Sequence, residues 1–193
     1  MPAVVYDLAP LTTVPSSVYL DTSVLLAAYR AGAKPSPTPP EQASRAFIVA
    51  ATTARPDAAW TSILAIEEAC WWPIAEEIRG AANRLKVSPS RLKRDHQREY
   101  ARAYRAARPK ADQLMHFLKG LPVHVRHPRV PRSTSAQPAR AICYLVHRLF
   151  RLYDLEMADL FHIAIAKLDG TDAIATLDKG FLDVDGIEVY TYP

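Results

Sequence analysis

The 193-residue chain contains only two cysteines, Cys70 and Cys143, each set in an apolar helical pattern. A disulfide framework and a cysteine-based zinc site are therefore excluded, and both side chains read as core residues. No stretch approaches the roughly 18 apolar residues that a bilayer span requires. The N-terminus also lacks the basic region, apolar segment and small-residue cleavage site of a secretory signal. The expectation is a soluble, cytoplasmic protein with no membrane attachment. There is no internal repeat. The chain is 49% hydrophobic, enough for one well-buried core, so a single domain over residues 1–193 is expected.

Negative charge is scarce in one region. Residues 79–132 hold fifteen of the 24 Lys and Arg against only Asp95, Glu99 and Asp112, a local balance of +12. The rest of the chain, with nine cations and seventeen acids, carries −8. An acidic body with a basic insertion suits a polyanionic ligand with a metal ion between them. Arg91, Lys93, Arg94 and Arg98 are the candidate phosphate-binding residues. The plain alternative is a solvated helical face.

Strands and helices alternate along the sequence. Residues 1–16 are weakly patterned and read as a surface arm. Ser17–Leu20 reads as a strand running into Asp21, followed by a short helix over Val24–Tyr29. Thr38 and Glu41 form a capping box for a helix to about Ala54. A short strand over Ala58–Trp60 meets Thr61 and Ser62, either of which can cap the next helix, where Ile63, Ile66, Cys70 and Ile74 recur at helical spacing. In the insertion, Ser88-Pro89 opens one long helix with an expected kink at Pro109 and an end at Gly120. A short strand over Leu121–Val125, a Pro-rich loop over His127–Pro138 and helices over 139–153 and 156–168 follow. Ala173–Thr176 and Ile187–Tyr190 close the chain as strands. The expected fold class is α/β: a three-layer α/β/α sandwich on a mostly parallel central sheet, plus the helical basic insertion.

Four apolar runs end on carboxylates, at Asp21, at Glu67-Glu68, at Asp159 and at Asp178. In an open parallel sheet the strand ends form the ligand-binding edge. Acids converging there repel one another until a proton or a cation intervenes, and hard oxygen donors suit Mg²⁺ or Mn²⁺. Each acid also has a local reading. Asp21 can cap the following helix, Asp159 can favour a helix N-terminus, and Asp178 can be a turn residue before Lys179-Gly180. His162, one turn after Asp159, has a spacing that can share a metal, but on an apolar helix it reads as a packed and satisfied histidine. Asp154, Asp183 and Asp185 read as surface acids, Asp183 being the one best placed to join a site. Trp71, Trp72 and the Tyr stripe read as core or dimer contacts rather than base-stacking platforms.

The segments Val18–Leu26, Thr61–Glu68, Ala158–Ala166 and Ala175–Phe181 resemble, in order, the four motifs of the PIN domain. The resemblance covers residues 17–32, 58–72 and 154–190, with the arm and the insertion outside it. Within the family the chain is most similar to VapC-type toxins of toxin–antitoxin pairs. This resemblance implies a metal-dependent endoribonuclease with Asp21, Glu68, Asp159 and Asp178 as metal ligands and catalytic acids, Glu67 being the alternative to Glu68. It implies Thr22 or Ser23 as a hydrogen-bond donor to ligand or phosphate, Thr176 as a supporting hydroxyl, a cognate antitoxin protein and a homodimer. Two other functions compete. A non-catalytic PIN-like RNA-binding module is expected to have lost one or more acids, and a haloacid-dehalogenase-like phosphatase needs a second acid where this chain has Ser23.

Overall fold

The computed structural model describes residues 2–9, 14–127 and 138–193. Its elements in chain order are β1 (Val4–Asp7), β2 (Val18–Leu20), α1 (Thr22–Ala33), α2 (Pro39–Ala54), β3 (Ala59–Thr61), α3 (Ile63–Arg84), α4 (Pro89–Asp95), α5 (Gln97–Gly120), β4 (His124–Val125), α6 (Pro138–Phe150), α7 (Met157–Leu168), β5 (Ala173–Ala175), a 3-10 turn (Lys179–Asp183) and β6 (Glu188–Thr191). The chain divides into two compact units, one of Met1–Ala65 with Pro122–Pro193 and one of Ile66–Leu121.

The first unit is built on a six-stranded sheet in the order β1-β6-β5-β2-β3-β4, with every neighbouring pair parallel. Its central strands are short and buried on both faces, as parallel strands covered by helices must be. Alternation along the strands assigns the two faces. Tyr19, Trp60, Ile174 and Val189 pack with Leu160 and Ile163 of α7 and with Val146 and Leu149 of α6. On the opposite face Tyr190 meets Phe47 of α2, ring centroids 5.5 Å apart. This is the expected three-layer α/β/α sandwich. The capping box of α2 forms as expected, the Thr38 backbone N–H donating to the Glu41 carboxylate at 2.9 Å.

The second unit is helical. α3 continues through it, α4 is capped by Ser88 accepting from the Arg91 N–H at 3.2 Å, and α5 turns Ala103, Ala107 and Leu114 inward. Ile78, Ala81 and Ala82 of α3, Leu92 of α4 and Ala103 of α5 form its apolar core.

Several expectations change. The N-terminal arm contains β1, which pairs with β6 from Val4 opposite Glu188 to Asp7 opposite Thr191. The helix expected across the insertion is two helices, broken at His96 with φ −129° and ψ 56°, and α5 runs on through Pro109. Cys143 is exposed rather than in the core, while Cys70 is half-buried with its Sγ 2.8 Å from Met115 Sδ. Nearly all of the Pro-rich loop, residues 128–137, lies outside the described residues, as does the end of the basic insertion. Among the described residues no helix is long and apolar enough to cross a membrane.

Candidate active site

In a parallel sheet the strand C-termini and the N-termini of the flanking helices share one edge. Asp21 lies between β2 and α1, Asp178 between β5 and the 3-10 turn, and Asp159 in the first turn of α7, which returns antiparallel to β5. The local roles and the expected site role thus call for the same placement. Asp21 caps α1 and Asp178 caps the 3-10 turn, accepting the Gly180 N–H at 2.8 Å, and both are thereby fixed at the C-terminal edge of the sheet.

Asp21 is only 5% exposed and is held by hydroxyls. Its Oδ2 accepts from Ser23 Oγ at 2.6 Å, Thr176 Oγ1 at 2.9 Å and the Ser23 N–H at 3.2 Å. Ser23 Oγ in turn accepts the Leu177 N–H at 2.9 Å, and Thr176 Oγ1 accepts the Asp178 N–H at 3.0 Å. Thr176, expected as a supporting hydroxyl, donates to the Asp21 carboxylate. Ser23, expected to donate to a phosphate, has its hydroxyl engaged with Asp21 and Leu177. Thr22 Oγ1 donates to the Ala65 carbonyl at a long 3.5 Å. The other carboxylate oxygen, Oδ1, stands 3.5 Å from His162 Nε2.

Asp159 senses the other two acids electrostatically. Burial first, then the charges of Asp178 and Asp21, push the Asp159 carboxyl up to about 6. Negative charge is thus in excess at this edge. Carboxylate oxygens are the donors that hard divalent cations take, so the chemistry of the set fits Mg²⁺ or Mn²⁺. Among the described residues, however, no group of three or more His, Cys, Asp or Glu side chains stands close enough together to hold an ion as a finished ligand set. Glu67 and Glu68 lie on α3 in the second unit, Glu67 exposed and Glu68 half-buried. Asp154, Asp183 and Asp185 are exposed.

Within the second unit the cations divide into two kinds. Arg91 and Arg94 both bond Asp95, at 3.3 and 2.8 Å, so part of their charge is compensated. Arg98, by contrast, lines a groove on α5 together with Arg102 and Arg105, at i, i+4 and i+7 on one helical face. Lys93 is exposed on α4.

Sequence reasoning did not single out Arg102 and Arg105, although their spacing from Arg98 was visible. It also missed Tyr19, whose hydroxyl meets both Ser62 and His162. A tyrosine in an apolar strand reads as core, and nothing local reveals which polar groups its hydroxyl will meet. Of the two candidate caps, Ser62 takes the role by accepting the Ala65 N–H at 3.3 Å, whereas Thr61 donates to the Leu20 carbonyl.

The sequence pattern of the PIN domain matches residues 18–187, a span that includes all four acidic segments. No curated protein matches the chain significantly.

Proposed function

The chain belongs to the PIN domain family, whose fold is a nuclease fold, and we propose that it is a Mg²⁺- or Mn²⁺-dependent endoribonuclease acting in the cytoplasm as the toxin of a toxin–antitoxin pair. The observation that carries this reading is the gathering of Asp21, Asp159 and Asp178 at one sheet edge, with the Asp159 carboxyl raised by burial and by the other two. Glu68, the half-buried member of the α3 pair, is the proposed fourth acid. When bound, a divalent ion supplies positive charge to the phosphate under attack and acidifies a water.

The protein's own groups do the rest. Ser23 and Thr176 hold one oxygen of Asp21 still, so its carboxylate presents a fixed direction. Asp159, whose carboxyl is raised to about 6, suits the proton transfer from the attacking water. Arg98, Arg102 and Arg105, on one face of α5, provide charge for RNA phosphates. The antitoxin partner and the homodimer belong to the same proposal and are carried by the VapC-type likeness.

Asp21→Asn and Asp159→Asn test it. Each is expected to abolish Mn²⁺-dependent cleavage of RNA while leaving the circular dichroism spectrum unchanged. Full activity in both variants overturns the assignment. The parent protein should also gain thermal stability with Mn²⁺, which a non-catalytic RNA-binding module would not.

A further inference from the structure

Behind Asp21 lies a line of buried polar groups that the proposed reaction leaves unused. Ser62 and His162 are 1% exposed and Tyr19 is fully buried. The Ala65 N–H reaches Ser62 Oγ at 3.3 Å, Ser62 Oγ lies 2.8 Å from Tyr19 Oη, and Tyr19 Oη lies 2.6 Å from His162 Nδ1. His162 Nε2 then faces Asp21 Oδ1 at 3.5 Å. The line joins the start of α3, the middle of β2 and the second turn of α7 to the acid at the end of β2. Burying a hydroxyl, a phenol and an imidazole is costly unless each finds a partner, and here each does.

The acid end sets the direction of the line. An ionised carboxylate can only accept, so the imidazole nitrogen facing it carries the hydrogen. A neutral imidazole then has a bare Nδ1, which accepts from the Tyr19 hydroxyl. Tyr19 has a single proton, already committed, so the Ser62 hydroxyl donates to Tyr19 and accepts from the Ala65 N–H. The hydrogen bonds from the Ala65 N–H through Ser62 and Tyr19 to His162 then run toward Asp21. No ring nitrogen remains for a metal, which removes His162 as a ligand despite its spacing from Asp159.

We infer that His162, set as its Nε2–H tautomer by the Asp21 carboxylate and backed by the Tyr19 hydroxyl, is a positioning residue for Asp21. Ser23 and Thr176 hydrogen-bond Oδ2, and His162 Nε2 faces Oδ1 from another element at 3.5 Å. That is longer than a hydrogen bond but close enough for an N–H dipole there to resist rotation of the carboxylate about its Cβ–Cγ bond. Oδ1 keeps a second lone pair for a divalent cation. This role rests on the metal-dependent reading above, but the tautomer itself does not.

The test uses the full chain. Long-range ¹H–¹⁵N spectra of the histidine rings in the metal-free protein, with His162 assigned from His162→Gln, are expected to show one Nε2–H tautomer. Asp21→Asn, whose amide can donate as well as accept, is expected to convert His162 to a mixture of tautomers. An Nδ1–H or doubly protonated ring in the parent, or an unchanged ring in Asp21→Asn, overturns the inference. Mn²⁺ affinity, read by electron paramagnetic resonance, is expected to fall about 10- to 100-fold in Tyr19→Phe and His162→Leu. It should recover largely in His162→Gln, whose amide can still donate to Asp21. Equal losses in the Leu and Gln variants reduce His162 to filler and overturn the role. If Leu at 162 does not fold, Tyr19→Phe carries the affinity comparison. A parent that binds no Mn²⁺ overturns the metal-dependent reading, and the ring spectra then decide the inference alone.

Discussion

Thr176, one residue beyond β5, donates its hydroxyl to Asp21 Oδ2 at the end of β2 across 2.9 Å, and both groups are buried. The same hydroxyl oxygen accepts the Asp178 N–H at 3.0 Å, so one side chain fixes an acid on each of two neighbouring strands. β2 and β5 are paired, with Leu20 opposite Ala175, and the residues that follow these two are the carboxylate and the hydroxyl that meet.

Thr176→Val keeps the shape and removes the donor. A hydrogen bond to a buried charged group contributes about 1.5–3 kcal/mol, so a loss of that size in urea unfolding is expected, with Thr176→Ser close to the parent. A Val variant as stable as the parent would mean that Asp21 is held by Ser23 alone.

The raised Asp159 carboxyl has a pH signature in the metal-free protein. Its folded-state value of about 6 lies above the ordinary 3.8, so the folded state keeps a proton that the unfolded chain releases. The corresponding stability is fully present below about pH 3.8 and is lost as pH rises through about 6. Asp159→Asn removes this loss. Its melting temperature in EDTA should exceed that of the parent at pH 8 and match it at pH 4. A variant no more stable than the parent at pH 8 would contradict the crowding of charge at this edge.

The two acids of α3 should separate by activity. Glu68→Gln is expected to remove Mn²⁺-dependent cleavage, and Glu67→Gln, at the exposed position, to leave it near the parent rate. The reverse outcome reassigns the fourth acid to Glu67.

RNA affinity should follow the arginine face of α5 more than the Asp95-paired arginines of α4. Replacing Arg98, Arg102 and Arg105 with Glu is expected to weaken RNA binding and to flatten the dependence of log K on log salt by roughly 0.7 for each single-strand phosphate that is no longer neutralised. Arg91→Ala and Arg94→Ala should have smaller effects, since both side chains already bond Asp95. Filter binding across a salt series distinguishes the two sets, and an unchanged slope in the α5 variant makes that face purely structural.

What could be read from sequence was local. The Thr38–Glu41 box, the start of α7 and the strands at 18–20 and 173–175 depend on neighbours a few residues apart, and they appear where expected. The acids Asp21, Asp159 and Asp178 were legible for a related reason, since each closes an apolar run or opens a helix. Features that depend on distant partners were not. β1 is a strand only because β6 lies beside it, and its half-exposed Val4 and Val5 carry no buried face to announce it. The break at His96 lacks Gly or Pro, whereas Pro109, a residue type that ordinarily breaks helices, sits on an exposed turn of α5 where the missing N–H bond is tolerated. Cys143 lies in an apolar pattern, yet α6 turns that position outward.

The edge strand β1 also has a consequence for how the chain folds. Among the described residues its one ladder partner is β6, to which it is bound from the Val4 N–H on the Ile187 carbonyl to the Leu8 N–H on the Thr191 carbonyl. β1 therefore waits for a strand synthesised about 180 residues later, Val4 lying opposite Glu188. A nascent chain on the ribosome can pair β2, β3 and β5 while β1 has nothing to join, and the sheet closes only after Thr191 emerges. Closing so long a loop is slow, and until it closes the Val4-Val5-Tyr6 segment has a free strand edge that can take a wrong partner.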